Sequence, residues 1–268
     1  MVLIGIGNAG SSLIEQFSEH HKKISITADY FPKHCKKTEH YEEHCPDFSE
    51  HLNFNEDECW VALCGAGKVA GCTLRVLETI KDKIINIIYI YPDITLCNSI
   101  QNKRNKVIYN VLQEYTRSGL LNTMYLFSNK EVLNMIGSQP ITEMYKMINK
   151  QIANSIETME WLKSQQPVMG SYIEAKEISR ICCLSVGNFK KNDEKMLFLL
   201  DNITEAGYLY SVSKKQLEKN KDMLSIIKDR ILKDEEEQIT SSFAVYPSEH
   251  NQSFFYSIKL THYIQEKK

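Results

Sequence analysis

Twice in its first 75 residues the chain runs an apolar strand into a glycine-rich loop and then into helical spacing. Val2-Leu3-Ile4 leads to Gly5-Ile6-Gly7-Asn8-Ala9-Gly10, with helical SSLIEQF following from Ser11. The continuous apolar run Cys59–Cys64 leads to Gly65-Ala66-Gly67-Lys68-Val69-Ala70-Gly71 and a helix with Leu74, Leu77 and Ile80 on one side. Such a run suits a parallel strand covered on both faces. A glycine turn between strand and helix aims backbone N–H groups at an anion. One such turn is common; two at the carboxyl edge of one parallel sheet set two groups of donors side by side, which suits a polyphosphate. The second loop is not a Walker A motif, which needs four residues between its glycine and Gly-Lys-Ser/Thr. The first matches G-x-G-x-x-G, and Asp29, about 20 residues on, falls where a dinucleotide enzyme binds ribose, so that class stays open.

Further βα alternation follows. Ile84–Tyr91 is a strand, 102–120 a helix with Val107, Val111, Leu112 and Tyr115 inward and Gly119 stopping it, and Thr123–Phe127 a strand. Ser128-Asn129-Lys130-Glu131 opens another helix. The pattern predicts an α/β, Rossmann-like parallel sheet with helices on both faces. From Ser138 to about Gln166, Ile141, Met144, Ile148, Ile152, Ile156 and Met159 recur at three- and four-residue steps. They predict a central helix of about 25 residues, roughly 37 Å long, capped by Ser138 with Pro140 in its first turn. Tyr145 and Asn149 share a face near its start. Beyond it the pattern changes: strands at Ile181–Val186 and Ala206–Val212, helix Lys215–Lys233, an acidic break at 234–237, and a hairpin of Ile239–Tyr246 and Ser253–Tyr263 about Pro247–Gln252. Strands in succession around one or two helices predict a small α+β second domain.

Composition narrows the function classes. A net charge of −2, with 25% charged and 43% hydrophobic residues, is ordinary for a soluble globular protein and argues against a nucleic-acid or membrane-surface footprint. No apolar run approaches the ~18 residues of a membrane span. The 8 cysteines form no regular framework and no targeting segment precedes the first strand, which predicts reduced thiols in a cytoplasm. His34, Cys35, His40, His44, Cys45 and His51 cluster within the polar stretch 33–57. H-C-x₄-H-x₃-H-C is no familiar zinc spacing, so the stretch reads as a solvated connection and no metal ligands are assigned.

In its order of parts the chain resembles the tubulin/FtsZ superfamily over nearly its whole length. Gly5–Gly10 resembles the first phosphate loop. Gly65–Gly71 falls where the family carries Gly-Gly-Gly-Thr-Gly-Ser/Thr-Gly. Ser128-Asn129-Lys130-Glu131-Val132-Leu133 is similar to the tubulin Asp-Asn-Glu-Ala-Leu, and Tyr145-x-x-x-Asn149 to the stacking tyrosine and guanine-binding asparagine of the core helix. Glu174-Ala175-Lys176-Glu177 resembles the acidic loop that follows it. There are departures. Glycine persists at positions 65, 67 and 71, but Ala66 and Val69 replace glycines, Lys68 the threonine and Ala70 the Ser/Thr. Val69 implies an altered loop path; Lys68 reads either as a cation on the phosphates or as a solvent-facing lysine. The acidic loop, Asn-x-Asp-x-x-Asp in the family, aligns on the downstream helix with Glu174 and Glu177 at the acids. Aligned on Pro167, it puts Ser171 at the asparagine and loses both acids. The first register needs one extra loop residue, which adds little closure entropy.

The resemblance implies residues 1–137 as a nucleotide-binding domain, 138–166 as a central core helix and 167–268 as a C-terminal α+β domain. It implies GTP or GDP, with Mg²⁺, held by Gly5, Gly7, Asn8, Ala9, Gly10 and Ser11 and by Gly65, Ala66, Gly67, Lys68, Val69, Ala70 and Gly71. Tyr145 stacks on the base, and Asn149 and Asn129 pair with it. Subunits associate head to tail into filaments, and Glu174 and Glu177 complete hydrolysis on the next subunit's nucleotide. The chain stops after its last strand, without the tail by which FtsZ reaches membrane-bound partners. The altered second loop leaves a structural or regulatory partner with weak or no hydrolysis as the alternative.

Overall fold

The computed structural model describes residues 1–189, 193–219, 222–248 and 253–266. The chain divides into two compact units, Met1–Asn154 and Ser155–Lys268. The first is built on five parallel strands, β1 (Val2–Ile6), β2 (Lys22–Ile26), β3 (Glu58–Leu63), β4 (Ile84–Tyr91) and β5 (Thr123–Ser128), in the order β2-β1-β3-β4-β5. β2 is the edge. Parallel neighbours need crossovers, and these are supplied by α1 (Gly7–Ile14), α2 (Thr38–Glu43), α3 (Thr73–Thr79) and α4 (Ser99–Arg117), with α5 (Asn129–Ile136) following β5. β1, β3 and β4 are buried almost throughout, as their unbroken apolar runs require.

α4 opens on a capping box in which Asn98 and Gln101 exchange side-chain bonds with each other's backbone N–H groups at 2.9 Å. It ends at Arg117, with Gly119 beyond it at φ +82°. Leu112 is inward as the spacing predicts, but Val107 is 61% exposed, contrary to expectation. α4 buries a polar row instead: Asn105, Gln113 and Thr116.

The long helix α6 spans Met144–Ser164 and buries Ile148, Ile152, Ile156 and Met159, four of the six residues expected on its apolar face. It starts later than Ser138. Gln139 precedes a proline and is steered away from helical backbone. The Pro140 carbonyl takes the N–H groups of Glu143 and Met144, both at 2.9 Å, in a turn that leaves Ile141 89% exposed. Residue 154/155, where the units divide, falls inside this helix.

The second unit holds β6 (Met169–Ser171), β7 (Ile181–Asn188), β8 (Asp193–Met196), β9 (Glu205–Ser213), α7 (Lys214–Lys219), α8 (Met223–Glu236), β10 (Thr240–Ser248) and β11 (Phe254–Thr261). Its strand order is β7-β11-β9-β10-β6, with β8 on β7. The expected hairpin of the last two strands does not form. β10 pairs parallel to β9, with α8 as the crossover, while β11 pairs antiparallel to β9 on its other side. Residues 249–252 of the expected turn lie outside the described residues. The single helix expected over Lys215–Lys233 is α7 and α8, with 220–221 outside the described residues. The acidic run does not break α8. Asp234 is buried in its last turn, where the Tyr208 hydroxyl donates to it at 3.2 Å; the helix ends at Glu236, with Gln238 beyond it at φ +60°. Met223 and Ile227 pack against Tyr208, Tyr210, Val212, Val245 and Phe255 to form this unit's core.

The stretch 33–57 is not simply a solvated connection. α2 and its flanks wrap a small buried cluster in which Phe31 meets Tyr41 at 4.9 Å and Phe48 at 6.3 Å between ring centroids. Cys35, Leu52 and Phe54 are buried with them.

Candidate functional site

All the candidate nucleotide residues lie in the first unit. β1 runs through Ile6, two residues further than expected, so Gly7–Ser11 form the first turns of α1 rather than a free loop. Gly7 makes the corner at φ +67°, a conformation that side chains rarely adopt. A Cβ on Gly10 would fall on the carbonyl oxygen of Ala62, so glycine there lets α1 lie directly on β3. Ser11 Oγ donates back to the Gly5 carbonyl at 3.3 Å. Asn8 is exposed, and Ala9 and Ser11 are half-buried.

The second loop is short-coiled: Val69–Cys72 form a 3-10 turn leading into α3. Gly67 and Lys68 are exposed, whereas Gly65, Ala66, Val69, Ala70 and Gly71 are buried. Val69, at the position where glycine was expected, turns inward. Its Cβ lies 3.5 Å from where a Cβ on Gly7 would stand, so the two glycine segments touch. Three residues that the sequence did not single out hold this loop. Arg104 of α4 donates to the Ala66 carbonyl at 3.1 Å. Tyr89, its phenol pushed up by burial, donates to Asn105 Oδ1 at 2.8 Å and covers Gly65. The Thr38 carbonyl at the start of α2 lies against Gly71. Burial also pushes the Cys64 thiol, just before the loop, up to about 11.

Ser128 caps α5 by accepting from the Glu131 N–H at 3.4 Å, which leaves Asn129 as the first helical residue after β5. Asn129 Oδ1 is buried and has no hydrogen-bond partner. A buried amide oxygen without a donor carries a penalty of roughly 1–3 kcal/mol unless a ligand or water supplies one. Asn149 is buried and Tyr145, one turn earlier on α6, is 53% exposed. The structure brings the Gly7 and Val69 segments together, and Asn129, Tyr145 and Asn149 stand on α5 and α6 of the same unit.

Glu174 and Glu177 lie in the second unit, both exposed, on an irregular segment between β6 and β7. No helix occurs in residues 167–180, so the helix that favoured this register is absent and neither glutamate caps a helix start. The segment is nonetheless anchored. The Lys176 N–H donates to Glu205 Oε2 at 2.9 Å, the Ile173 N–H donates to Ser242 Oγ at 3.2 Å, and the Tyr172 ring lies over Gly207.

This order of elements defines a tubulin/FtsZ-like fold. Among solved structures the chain is similar to an empty FtsZ dimer from M. jannaschii, with a TM-score of 0.68 and 13% identity over 97% of this chain and 87% of that one. It is similar to the GDP-form TubZ protofilament of Bacillus thuringiensis serovar israelensis, with a TM-score of 0.73 and 12% identity over 97% and 87%. It is also similar to the GTPγS-bound CetZ2 protofilament of Haloferax volcanii, with a TM-score of 0.65 and 13% identity over 97% and 92%. No protein-family model and no curated sequence matches the chain. Among the described residues, no helix is long and apolar enough to cross a membrane.

Proposed function

We propose that the chain is a guanine-nucleotide-binding protein that assembles head to tail into filaments. The observation that carries this is the buried, unpartnered Oδ1 of Asn129 in the same unit as the touching Gly7 and Val69 segments. Tyr145 stacks on the base, while Asn129 and Asn149 pair with its edge. The N–H groups of Gly5–Ser11 and Gly65–Gly71 meet the phosphates, with Lys68 adding positive charge. Glu174 and Glu177 of one copy orient water towards the nucleotide held by the next. The fold is shared with proteins whose structures are described as protofilaments bound to GDP or GTPγS, which supports this assignment.

The inward turn of Val69 and the tether from Arg104 to Ala66 favour a second possibility, a filament or partner protein indifferent to nucleotide. Light scattering of the full chain with GTP, GDP, ATP or no nucleotide separates the two. GTP-specific scattering, with turnover rising above a critical concentration, supports the proposal; scattering equal in all four supports the alternative. Glu174→Ala and Glu177→Ala are expected to abolish turnover and keep assembly. Turnover unchanged in both would reassign the acidic loop.

A further inference from the structure

Outside this site, the described residues hold one group of side chains able to converge on a metal ion: His34, Cys35 and His44, whose ligand atoms all lie within 4.8 Å of one another. We propose that they form a His₂Cys site for a divalent ion of zinc type, with water in the fourth position. The backbone around them is already fixed. The Tyr41 hydroxyl donates to the Cys35 carbonyl at 3.2 Å, and Tyr41 is itself packed on Phe31. His34 and His44 meet ring to ring at 4.8 Å although nine residues of chain, including α2, separate them.

Hydrogen bonding sorts the histidines. His44 Nδ1 lies 3.2 Å from the His40 carbonyl, which can only accept, so Nδ1 carries the proton and Nε2 keeps its lone pair. A metal-ligating imidazole is held in this way, its second nitrogen donating to a backbone carbonyl. His40 is arranged oppositely. Its Nδ1 accepts from the Lys36 N–H at 3.3 Å, which puts the proton of the neutral ring on Nε2 and leaves no lone pair for a metal. His40 is therefore not a ligand, although it stands between the others in sequence. The thiol of Cys35 is buried, and its nearest acceptor is the His40 carbonyl at 3.7 Å, a weak bond that a metal replaces readily.

Tetrahedral zinc, at about 2.1 Å from nitrogen and about 2.3 Å from sulfur, places its ligands roughly 3.5 Å apart. The exposed rings of His34 and His44 need to swing inward by about an ångström to reach this, with Cys35 as the fixed point. One thiolate with two imidazoles selects zinc over magnesium or calcium. On binding, the Cys35 proton leaves to solvent and the sulfur–metal bond forms, so affinity falls as pH is lowered. The site lies three residues from Thr38, whose carbonyl rests on Gly71. Beyond His44, Cys45 neighbours Cys72 at the end of the second glycine loop. An ion here ties down the segment on which that loop leans.

The test uses the untagged full chain, stripped with a chelator and titrated with Zn(II) against a chromophoric competitor, then with Co(II). One equivalent is expected to bind, and the Co(II) form to show intense tetrahedral visible bands with a sulfur-to-metal charge-transfer band in the ultraviolet. Cys35→Ser removes the charge-transfer band. His34→Ala and His44→Ala, both at exposed positions, weaken binding by at least about a hundredfold, the upper range for merely losing a supporting partner. His40→Ala and Cys45→Ser keep the stoichiometry. Absence of stoichiometric binding, or binding unaltered in Cys35→Ser and His44→Ala, would overturn the proposal. Nucleotide binding enters neither readout.

Discussion

Glu194 joins two largely buried cations in the second unit, and its removal makes a quantitative prediction. Its Oε2 lies 2.9 Å from Arg230 Nη1 and 3.3 Å from Lys259 Nζ, and these side chains are only 17%, 10% and 12% exposed. Ser257 Oγ donates to its other oxygen. Arg230 Cζ stands over the Phe255 ring, 4.3 Å from its centre, and over the Tyr208 ring at 5.1 Å, so the cation cannot move out to water without losing these contacts. At an effective dielectric near 20, each charge pair at ~3 Å is worth about 5 kcal/mol before desolvation is subtracted. Removing one partner of such a buried group costs about 3–5 kcal/mol, because the opposite charges stay behind. Glu194→Ala is therefore expected to lose about 3 kcal/mol at pH 7. The loss is to be measured by hydrogen exchange, with the amides of β7, β9 and β11 exposed first. Glu194→Gln keeps the shape and loses the charge, so it isolates the pH term. Burial pushes the Glu194 carboxyl up, but Lys259, Ser257 and Arg230 together outweigh it and hold it below the usual range. A depressed carboxyl contributes its stability above the unfolded value of about 4.3 and loses it as pH falls through the native one. The gap between parent and Glu194→Gln should narrow below about pH 4. A loss under ~1 kcal/mol for Glu194→Ala, or a gap that stays constant down to pH 3, would refute this account.

Other predictions concern the first unit. Gly10→Ala drives a Cβ into the Ala62 carbonyl and should cost about 3 kcal/mol or more in denaturant unfolding. Gly67→Ala, whose nearest neighbour would stand at 3.6 Å, is expected to leave the midpoint unchanged. In nucleotide titrations Asn129→Ala should weaken GTP binding about tenfold and reduce the preference over ATP, since the acceptor proposed for a guanine N–H is removed and that donor is left unpaired. Tyr145→Ala should weaken GTP and ATP alike by a similar factor, because stacking does not distinguish purines. A thiol held at about 11 is only about one part in a thousand thiolate at pH 8. Maleimide labelling of Cys64, followed by peptide mass spectrometry, should therefore report opening of the second loop and slow further when nucleotide is bound.

The βα alternation of the first unit was legible because its signals are local. Strand, glycine turn and helix follow one another in the chain, and parallel order comes from their alternation. The helix start at Ser128 is equally local, whereas the expected helix 102–120 missed the Asn98 cap and lies three residues too late at both ends. The parts that were missed depend on contacts distant in sequence. Alternation along Ile239–Tyr246 and Ser253–Tyr263 sets which face each strand buries but not which strand it joins, so a β9–β10 crossover reads like a hairpin. β6 and β8, with three and four residues, are too short for a period to show. Arg104 and Thr38 support the second loop from α4 and α2, and nothing in their neighbourhood announces it. The inward turn of Val69 followed from the altered signature only as a changed path; its contact with Gly7 required the folded chain. The acidic loop was placed by analogy with a helix that this chain lacks, which is why Glu174 and Glu177 rest on experiment rather than on position.

The edge strand β2 has a further consequence. Lys23 donates to the Phe17 carbonyl at 2.8 Å, while Lys22 reaches the Asn53 carbonyl at 3.3 Å and lies over the Phe54 ring. A strand that neighbours cannot extend without displacing two anchored lysines is a poor template for another chain's backbone. Sideways growth by sheet addition, the disordered route to aggregation, is thereby discouraged along this border.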